Sequence, residues 1–368
     1  MENAKILFIA PLPPPVTGQS LAAKRLLQEL EKDHSVRCID FSKGTFKDGL
    51  SSVSRVVQVW KILTHIRAKQ KDADAIYLTL SQSVAGNVKD LVTYAICFRK
   101  LGRMVLHLHG GGIKRIVFDR HPILRCINRF LLERVGAVVV LSPSLREIFA
   151  GMVPDDRVHA IANFAQDDLF LDREQIQSKF RATEPLRILF LSNLINGKGF
   201  NELGNAYDLL SLTSRNKVQI DFAGEFGSEK EKRSFLGKIG DKPGVHYHGV
   251  ADGDNKRQLL GQAHILCLPT YYAYYEGQPI AILEGYASGC AVITTNHGGI
   301  PDIFEPGRTG FYVEKQSARS IADRIETLLR NPKDLERIAI YNNSLARTLY
   351  TQSRSLSSLA EVIKEVLK

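Results

Sequence analysis

Residues 274–304, YYEGQPIAILEGYASGCAVITTNHGGIPDIF, read in order as a polar loop, a helix, a strand and a glycine turn. Pro279 has the fixed φ and missing N–H of a residue that opens a helix. The apolar run from Ile280 is then the helix, and AVITT, rich in β-branched residues, is the strand after it. Two carboxylates frame the helix start: Glu276 in the loop and Glu284 inside the helix. A carboxylate accepts hydrogen bonds at both oxygens, and vicinal hydroxyls offer two donors at fixed separation, so each acid has the chemistry of a grip on a sugar or ribose.

Working outward, the same alternation of strand and helix recurs along the chain. AKILFIA, VRCID, AIYLTL, RMVLHLH, AVVVLS and VHAIA read as strands in the first half; RILFLS, VQIDFAG, HILCLP and AVITT do so in the second. Their Val, Ile and Leu density fits parallel strands buried on both faces. At 368 residues and 44% apolar, the chain is long enough for two ordinary domains. The break is expected near Asn163–Glu184, where NFAQDDLFLDREQIQSKFRATEP turns polar before a new strand at Leu186. Each doubly wound half would present strand C-termini to a shared cleft, where open α/β sheets bind ligands.

Five scattered cysteines (Cys38, Cys97, Cys126, Cys267, Cys290) fit buried thiols in a reducing, cytoplasmic compartment. The N-terminal MENAKILFIAPLPPP reads as a strand rather than a leader, and no run approaches the roughly 18 apolar residues of a membrane span. Charge is uneven. Residues 51–135 hold 15 Lys and Arg against 5 Asp and Glu, a surplus equal to the +10 of the whole chain. Within them Val53, Val56, Val57, Trp60 and Leu63 recur at helical spacing among Arg55, Lys61, Arg67, Lys69 and Lys71, and IKRIVFDRHPILRCINRFLLERV repeats the combination. Two readings stay open: core-packing helices with solvated outer faces, or a surface for anionic membrane or a lipid pyrophosphate acceptor. Nucleic acid is not expected, since the region lacks an aromatic stacking array.

Three further sites carry chemistry. Thr17–Gly18–Gln19–Ser20 lead from the first strand's proline-rich loop into a helix; Gly18 is a plain turn residue or lets backbone N–H groups approach an anion. His107 and His109 share one side of a strand, and only His109 precedes Gly110–Gly111–Gly112 at the strand end. In NLINGKGF, Lys198 sits before a helix N-terminus, where an ammonium can neutralise a departing diphosphate. Asp72–Ala–Asp74 and Asp252–Gly–Asp254 fit a metal-holding Asp-x-Asp, but the first pair precedes a strand and the second reads as a turn before a helix. No metal is expected.

Over 186–313 tightly, and over the first half by architecture, these motifs resemble retaining glycosyltransferases of family 4, whose signature is Glu-x7-Glu. The resemblance implies the GT-B fold: an α/β protein of two doubly wound Rossmann-like domains facing a central cleft, residues 1–165 on the acceptor side and 166–352 on the nucleotide-sugar side, with a final helix at about 353–368 returning to the first. It implies a hexosyltransferase of polysaccharide biosynthesis, metal-independent and without cofactor. The donor would be a nucleoside diphosphate sugar, a UDP-sugar first among them, and the acceptor a glycan or polyprenyl-diphosphate-linked sugar, reached from the cytoplasm or the inner face of the membrane.

In this resemblance Glu284 takes the ribose hydroxyls. Glu276 and the amides of Gly277, Gln278 and Ile280 surround sugar and phosphate, with Pro279 turning the chain into the helix. His109 approaches the donor sugar with a neighbouring backbone carbonyl near the anomeric carbon, after the domains close to bring it to Glu276. The Gly18–Gln19 loop and Lys198 face the diphosphate. Asn193 stands where the family usually has an arginine, offering hydrogen bonds without charge. Sugar choice falls to side chains around Glu276, including Tyr271 to Tyr275. A nucleotide-sugar epimerase using the same donor grip is the alternative; a basic nucleic-acid module is a weaker one, and an NAD enzyme is disfavoured by the missing glycine fingerprint.

Overall fold

Two six-stranded parallel sheets carry the chain, described by a computed structural model over residues 3–42, 52–181, 184–272 and 276–368. Part of the expected linker (Ala182, Thr183), the start of the basic region (Ser51), and Tyr274 and Tyr275 lie outside the described residues.

The first sheet is built from β1 (Lys5–Ala10), β2 (Ser35–Asp40), β3 (Ala75–Thr79), β4 (Met104–Leu108), β5 (Ala137–Val140) and β6 (Val158–Ala160), in the order β2-β1-β3-β4-β5-β6. β3, β4 and β5 are buried at every residue, as strands covered on both faces must be. The order reverses between β1 and β3, so the loops leaving those two strands flank the switch point where such sheets bind ligands. Helices α1 (Gly18–Leu30), α2 (Ser52–Lys69), α3 (Val84–Ile96) and α4 (Pro122–Leu132) connect these strands. Thr17 caps α1 through a capping box: its side chain accepts from the Ser20 N–H, and the Ser20 hydroxyl accepts from the Thr17 N–H.

In the second unit α5 (Arg173–Arg181) precedes β7 (Leu186–Leu191), α6 (Phe200–Leu209), α7 (Leu212–Arg215), β8 (Val218–Ala223), α8 (Glu229–Ile239), β9 (Val245–Tyr247) and α9 (Gly253–Gln262). There follow β10 (Ile265–Leu268), α10 (Ile280–Ala287), β11 (Ala291–Thr294), β12 (Gly310–Tyr312), α11 (Ala318–Arg330) and α12 (Lys333–Leu349). The sheet order is β12-β11-β10-β7-β8-β9, with the switch point between β7 and β10. β9 and β12 were not expected from sequence. Each is three residues long and lies at an edge, where one partner suffices and neither length nor alternation marks a strand.

Contacts divide the chain into one unit of Met1–Asn163, Tyr274–Gln278 and Ser353–Lys368, and another of Phe164–Ala273 and Pro279–Gln352. Residues 276–278 thus group with the first sheet and not with the second, where the division at residue 165 had put them. The last helix, α13 (Gln352–Leu367), buries Leu356, Leu359, Val362, Ile363 and Leu367 on one face, and the Ser355 hydroxyl donates to the Ala162 carbonyl at 2.8 Å.

Two expectations about side-chain burial change. On α2, Ile62 and Ile66 fill the core, whereas Val56 (69% exposed) and Trp60 (67%) face solvent. On α4, Leu131 and Leu132 are buried, and Ile123 (75%) and Phe130 (53%) stand out with Ile127 between them. Val56, Val57, Trp60, Ile123, Ile127 and Phe130 therefore lie on outer faces, while Leu63 and Leu124 pack against the core. Of the cysteines, Cys97, Cys267 and Cys290 are buried as expected, while Cys126 is exposed and Cys38 half-buried.

Two glycines separate backbone demand from helix propensity. Gly199 has φ +87°, and a Cβ there would lie 2.4 Å from the Pro269 carbonyl oxygen. Gly237, exposed in α8, has nothing within 4 Å of such an atom. In urea unfolding, Gly199→Ala is expected to lower stability by about 2–4 kcal/mol, and Gly237→Ala to raise it by about 0.5–1 kcal/mol.

Candidate functional site

In the first unit β4 delivers His107 and, one residue past its end, His109. Tyr77 on β3 meets His107 Nδ1 through its hydroxyl at 2.7 Å, and the two imidazoles overlap with centroids 3.9 Å apart and planes 30° from parallel. Tyr77 in turn stacks on Phe8 of β1 at 4.6 Å, so an aromatic column crosses the strands of the switch point. His107 Nε2 and both ring nitrogens of His109 are buried without a hydrogen-bond partner among the described residues. Burial pushes the His109 ring down to about 4, and burial followed by the neighbouring His109 pushes His107 well below the usual imidazole range. Both rings are neutral at physiological pH. His109 can therefore offer one donor and one acceptor to a sugar hydroxyl, but no charge.

The loop after β4 is fixed by residues that the sequence did not single out. Gln82, in the loop leaving β3, accepts from the Gly112 N–H at 2.8 Å, and a Cβ on Gly110 would strike its amide at 2.5 Å. Asp90 of α3, fully buried and paired with Lys89 at 2.5 Å, accepts from the Ser81 N–H at 2.8 Å and so pins the residue before Gln82. Polar residues scattered across a loop and a helix have no motif to reveal them.

Glu276, Gly277 and Gln278 belong to this unit, and all three sit in buried surroundings. A Cβ on Gly277 would lie 2.4 Å from the His109 carbonyl oxygen and 3.1 Å from Gly110 Cα, so glycine is needed for the two backbones to pass this closely. Domain closure was expected to bring Glu276 to His109; the loop instead groups with the first sheet, and Gly277 lies against the His109 carbonyl itself. Gln278 has a structural partner: its Oε1 accepts from the Asn163 N–H and its carbonyl from Asn163 Nδ2, both at 3.0 Å. Gly18 is the first residue of α1, without positive φ, and it and Gln19 supply the leading amides of that helix, ahead of its first intrahelical acceptors.

In the second unit Asn193 and Lys198 lie between β7 and α6, beside the switch point. Lys198 precedes Gly199, the N-cap of α6, and its ammonium rests over the Tyr272 ring at 4.7 Å. The Tyr271 N–H donates to the Gly197 carbonyl at 2.6 Å, the Tyr271 hydroxyl to Glu202 at 2.8 Å, and His297 Nε2 meets the Tyr272 carbonyl at 2.8 Å. The loops after β7 and β10 are thereby held to one another. Asn193 is half-buried, and its carbonyl accepts from the Ile195 N–H at 3.0 Å. Arg187 is spent at the far end of β7 on Gln262, at 2.9 Å.

Pro279 is the N-cap of α10 and Ile280 its first residue, which leaves the Ile280 amide at the helix start. Glu284 lies inside α10 with its carboxylate buried against Lys256 of α9, an ion pair absent from the sequence expectations. Burial raises the Glu284 carboxyl above its ordinary value, Lys256 opposes that rise, and Asp168 adds to it. Of the Asp-x-Asp pairs, Asp74 accepts from the Lys5 N–H at the entry to β3, and Asp254 pairs with Arg257 at 2.5 Å. Among the described residues no cluster of three metal-ligating side chains occurs.

Comparison with known proteins bears on these two groups of residues. Residues 172–344 match the model of a family described as glycosyl transferases group 1. Alpha-D-kanosaminyltransferase of Streptomyces kanamyceticus is 23% identical over 259 residues, 68% of this chain and 66% of that one. Amylovoran biosynthesis glycosyltransferase AmsK of Erwinia amylovora is 23% identical over 279 residues, 72% of this chain and 64% of that one. The alignments thus span about two thirds of the length of these curated relatives. The crystal structure of Anabaena HepE in complex with UDP and glucose has a TM-score of 0.74 at 16% identity, covering 98% of this chain and 100% of that one. The fold is GT-B, and the matches support a GT-B glycosyltransferase.

The neutral imidazole pair makes stability sensitive to acid. Folded-state pKa values below the unfolded value of about 6.5 mean that the unfolded chain takes up protons first as pH falls. Stability is then lost from about pH 6.5 downward, by about 1.4 kcal/mol per pH unit for each ring. Urea unfolding at pH 7.5, 6 and 5 should show this loss, with a slope shallower by one ring's share in His109→Phe; an unchanged slope contradicts the assignment.

Proposed function

We propose that the protein is a retaining glycosyltransferase. It moves a hexose-type sugar from a nucleoside diphosphate, a UDP-sugar first among donors, to a glycan or polyprenyl-diphosphate-linked acceptor in polysaccharide assembly. The observation that carries this reading is the contact of Gly277 with the His109 carbonyl, which puts Glu276 and His109, the two residues that the resemblance assigns to the donor sugar, into one compact group. The match of residues 172–344 to group 1 glycosyl transferases supports the donor side, and HepE in complex with UDP and glucose supports uracil as the base. AmsK, by its name a glycosyltransferase of amylovoran biosynthesis, supports a biosynthetic role.

In this reading Glu284 holds the ribose, while Lys198 and the amides that open α6 and α10 meet the diphosphate, with Asn193 adding hydrogen bonds but no charge. Charge develops on the departing diphosphate, and donors fixed before the reaction stabilise it without solvent rearrangement. Glu276, with the Gly277 and Gln278 backbone, orients the sugar, and neutral His109 hydrogen-bonds it. The Gly18 and Gln19 amides offer a second anion contact at the start of α1. A front-face displacement through an oxocarbenium-like transition state retains the anomeric configuration, and neither a metal ion nor a further cofactor takes part.

The acceptor side includes a membrane. α2 and α3 pack together, as do α3 and α4, and the three helices turn Val56, Val57, Trp60, Val88, Val92, Ile123, Ile127 and Phe130 outward. Exposed Arg55, Lys61, Arg67, Arg125 and Arg129 stand among them. Apolar side chains ringed by cations fit the headgroup region of an anionic bilayer, here the inner face of the cell membrane. No helix among the described residues is long and apolar enough to cross one.

Nucleotide sugars screened by thermal shift should yield a stabilising ligand whose effect Glu284→Ala abolishes and a chelator leaves unchanged. Stabilisation that survives in the variant removes Glu284 from the donor site, and loss in the chelator restored by magnesium refutes metal independence. In sedimentation with phosphatidylglycerol vesicles, the triple variant Trp60→Ser, Ile123→Ser, Phe130→Ser should remain in the supernatant while the parent pellets. Equal partition of the two contradicts the membrane face.

A further inference from the structure

The Lys256–Glu284 pair is unusual in three respects that a stabilising role does not explain. α10 is otherwise small or apolar, IAILEGYA, and buried along most of its length, so a carboxylate at its fifth position forfeits hydration that the surroundings do not replace. Lys256 is itself buried near the start of α9, where the helix dipole disfavours a cation. Buried ion pairs are in general no more stabilising than apolar residues of the same volume, because desolvation offsets their attraction. Methionine at both positions would fill the space. What the pair retains that methionine cannot supply is a charged carboxylate in a fixed orientation.

The contacts are one-sided. Lys256 Nζ takes Glu284 Oε1, and the second oxygen has no hydrogen-bond partner among the described residues. The other charge acting on the carboxylate is Asp168, from the turn before α5, and it is shared with Arg257 at 3.8 Å. The elements packed on α10 add none: the buried residues of α12 are Leu335, Ile338, Ala339, Asn342, Asn343 and Ala346, and β10 and β11 are uncharged. Among the described residues Lys256 is thus the cation positioned to keep Glu284 ionised and to fix its plane.

We propose that Lys256 is a positioning residue for donor recognition: it anchors one oxygen of Glu284 so that the other is presented, charged and preoriented, to the vicinal hydroxyls of the donor's ribose. This rests on the assignment of Glu284 to the ribose. Its signature is selective. Loss of the anchor weakens the part of binding that depends on those hydroxyls and leaves the part that depends on base and diphosphate.

Calorimetric titration with UDP, GDP and the 2′-deoxy and 3′-deoxy forms of each separates the two parts. The parent should favour at least one ribonucleotide over its deoxy forms. Lys256→Met should lower affinity for that ribonucleotide about tenfold or more, the scale of one charge-assisted hydrogen bond, while the deoxy forms bind as before. Lys256→Arg should recover part of the preference. Because Lys256→Met strands a buried carboxylate, the double variant Lys256→Met/Glu284→Gln, which removes both charges together, is measured beside it and should show the same lost preference. Full preference in Lys256→Met, or equal losses for ribo and deoxy forms, overturns the role of Lys256 while Glu284→Gln still reports on the ribose. Unchanged preference in Glu284→Gln, or a parent that binds neither diphosphate, overturns the ribose assignment and this proposal with it.

Discussion

A carboxylate buried inside an apolar helix is the constraint around which the second unit is arranged. Glu284 can be ionised in α10 only if a cation is brought to it, and buried Lys256 of α9 supplies that charge. That fixes α9 and α10 relative to β10, and β10 is the strand at which sheet order reverses. The loops leaving β7 and β10, joined through Gly197 to Thr270 and Tyr271, place Lys198 beside the same switch point. Site and fold are therefore one problem in this unit. The helix that carries the acid is also the helix that connects β10 to β11.

The first unit answers a different constraint, the close passage of two backbones. Gly277 against the His109 carbonyl leaves no room for a side chain, and the glycine triplet after His109 is held by Gln82, whose own loop is held by buried Asp90. The imidazoles overlap one another, His107 meets the edge of the Tyr77 ring, which stacks on Phe8, and burial keeps both imidazoles uncharged. A neutral histidine suits hydrogen bonding to a sugar hydroxyl better than proton transfer. In the proposed reaction, rate enhancement would then come mainly from stabilising the departing diphosphate.

Much of this was legible in the sequence because it follows from local rules. Parallel strands buried on both faces announce themselves as runs such as AVVV and ILCL, and Pro279 and Thr17 mark helix starts by their own chemistry. Edge strands β9 and β12 did not, since three residues with one neighbouring strand carry no periodicity. Lys256 was hidden for another reason. A lysine in DGDNKRQLL looks like a solvated helix residue, and only the three-dimensional path of α9 turns it inward to Glu284. The outward stripes of α2 and α4 show the converse: helical spacing reveals a face but not which side of it meets water, and Val56, Trp60, Ile123 and Phe130 are on the wet side.

The central claim is transfer of a sugar from a nucleoside diphosphate, and proton NMR of a running reaction tests it most directly. With the nucleotide sugar that stabilises the protein and a polyprenyl-diphosphate-linked acceptor, the account predicts that free nucleoside diphosphate and a new glycoside appear together. The anomeric coupling of the product should match that of the donor. A donor that stays intact, or one converted to another sugar nucleotide without acceptor, contradicts it.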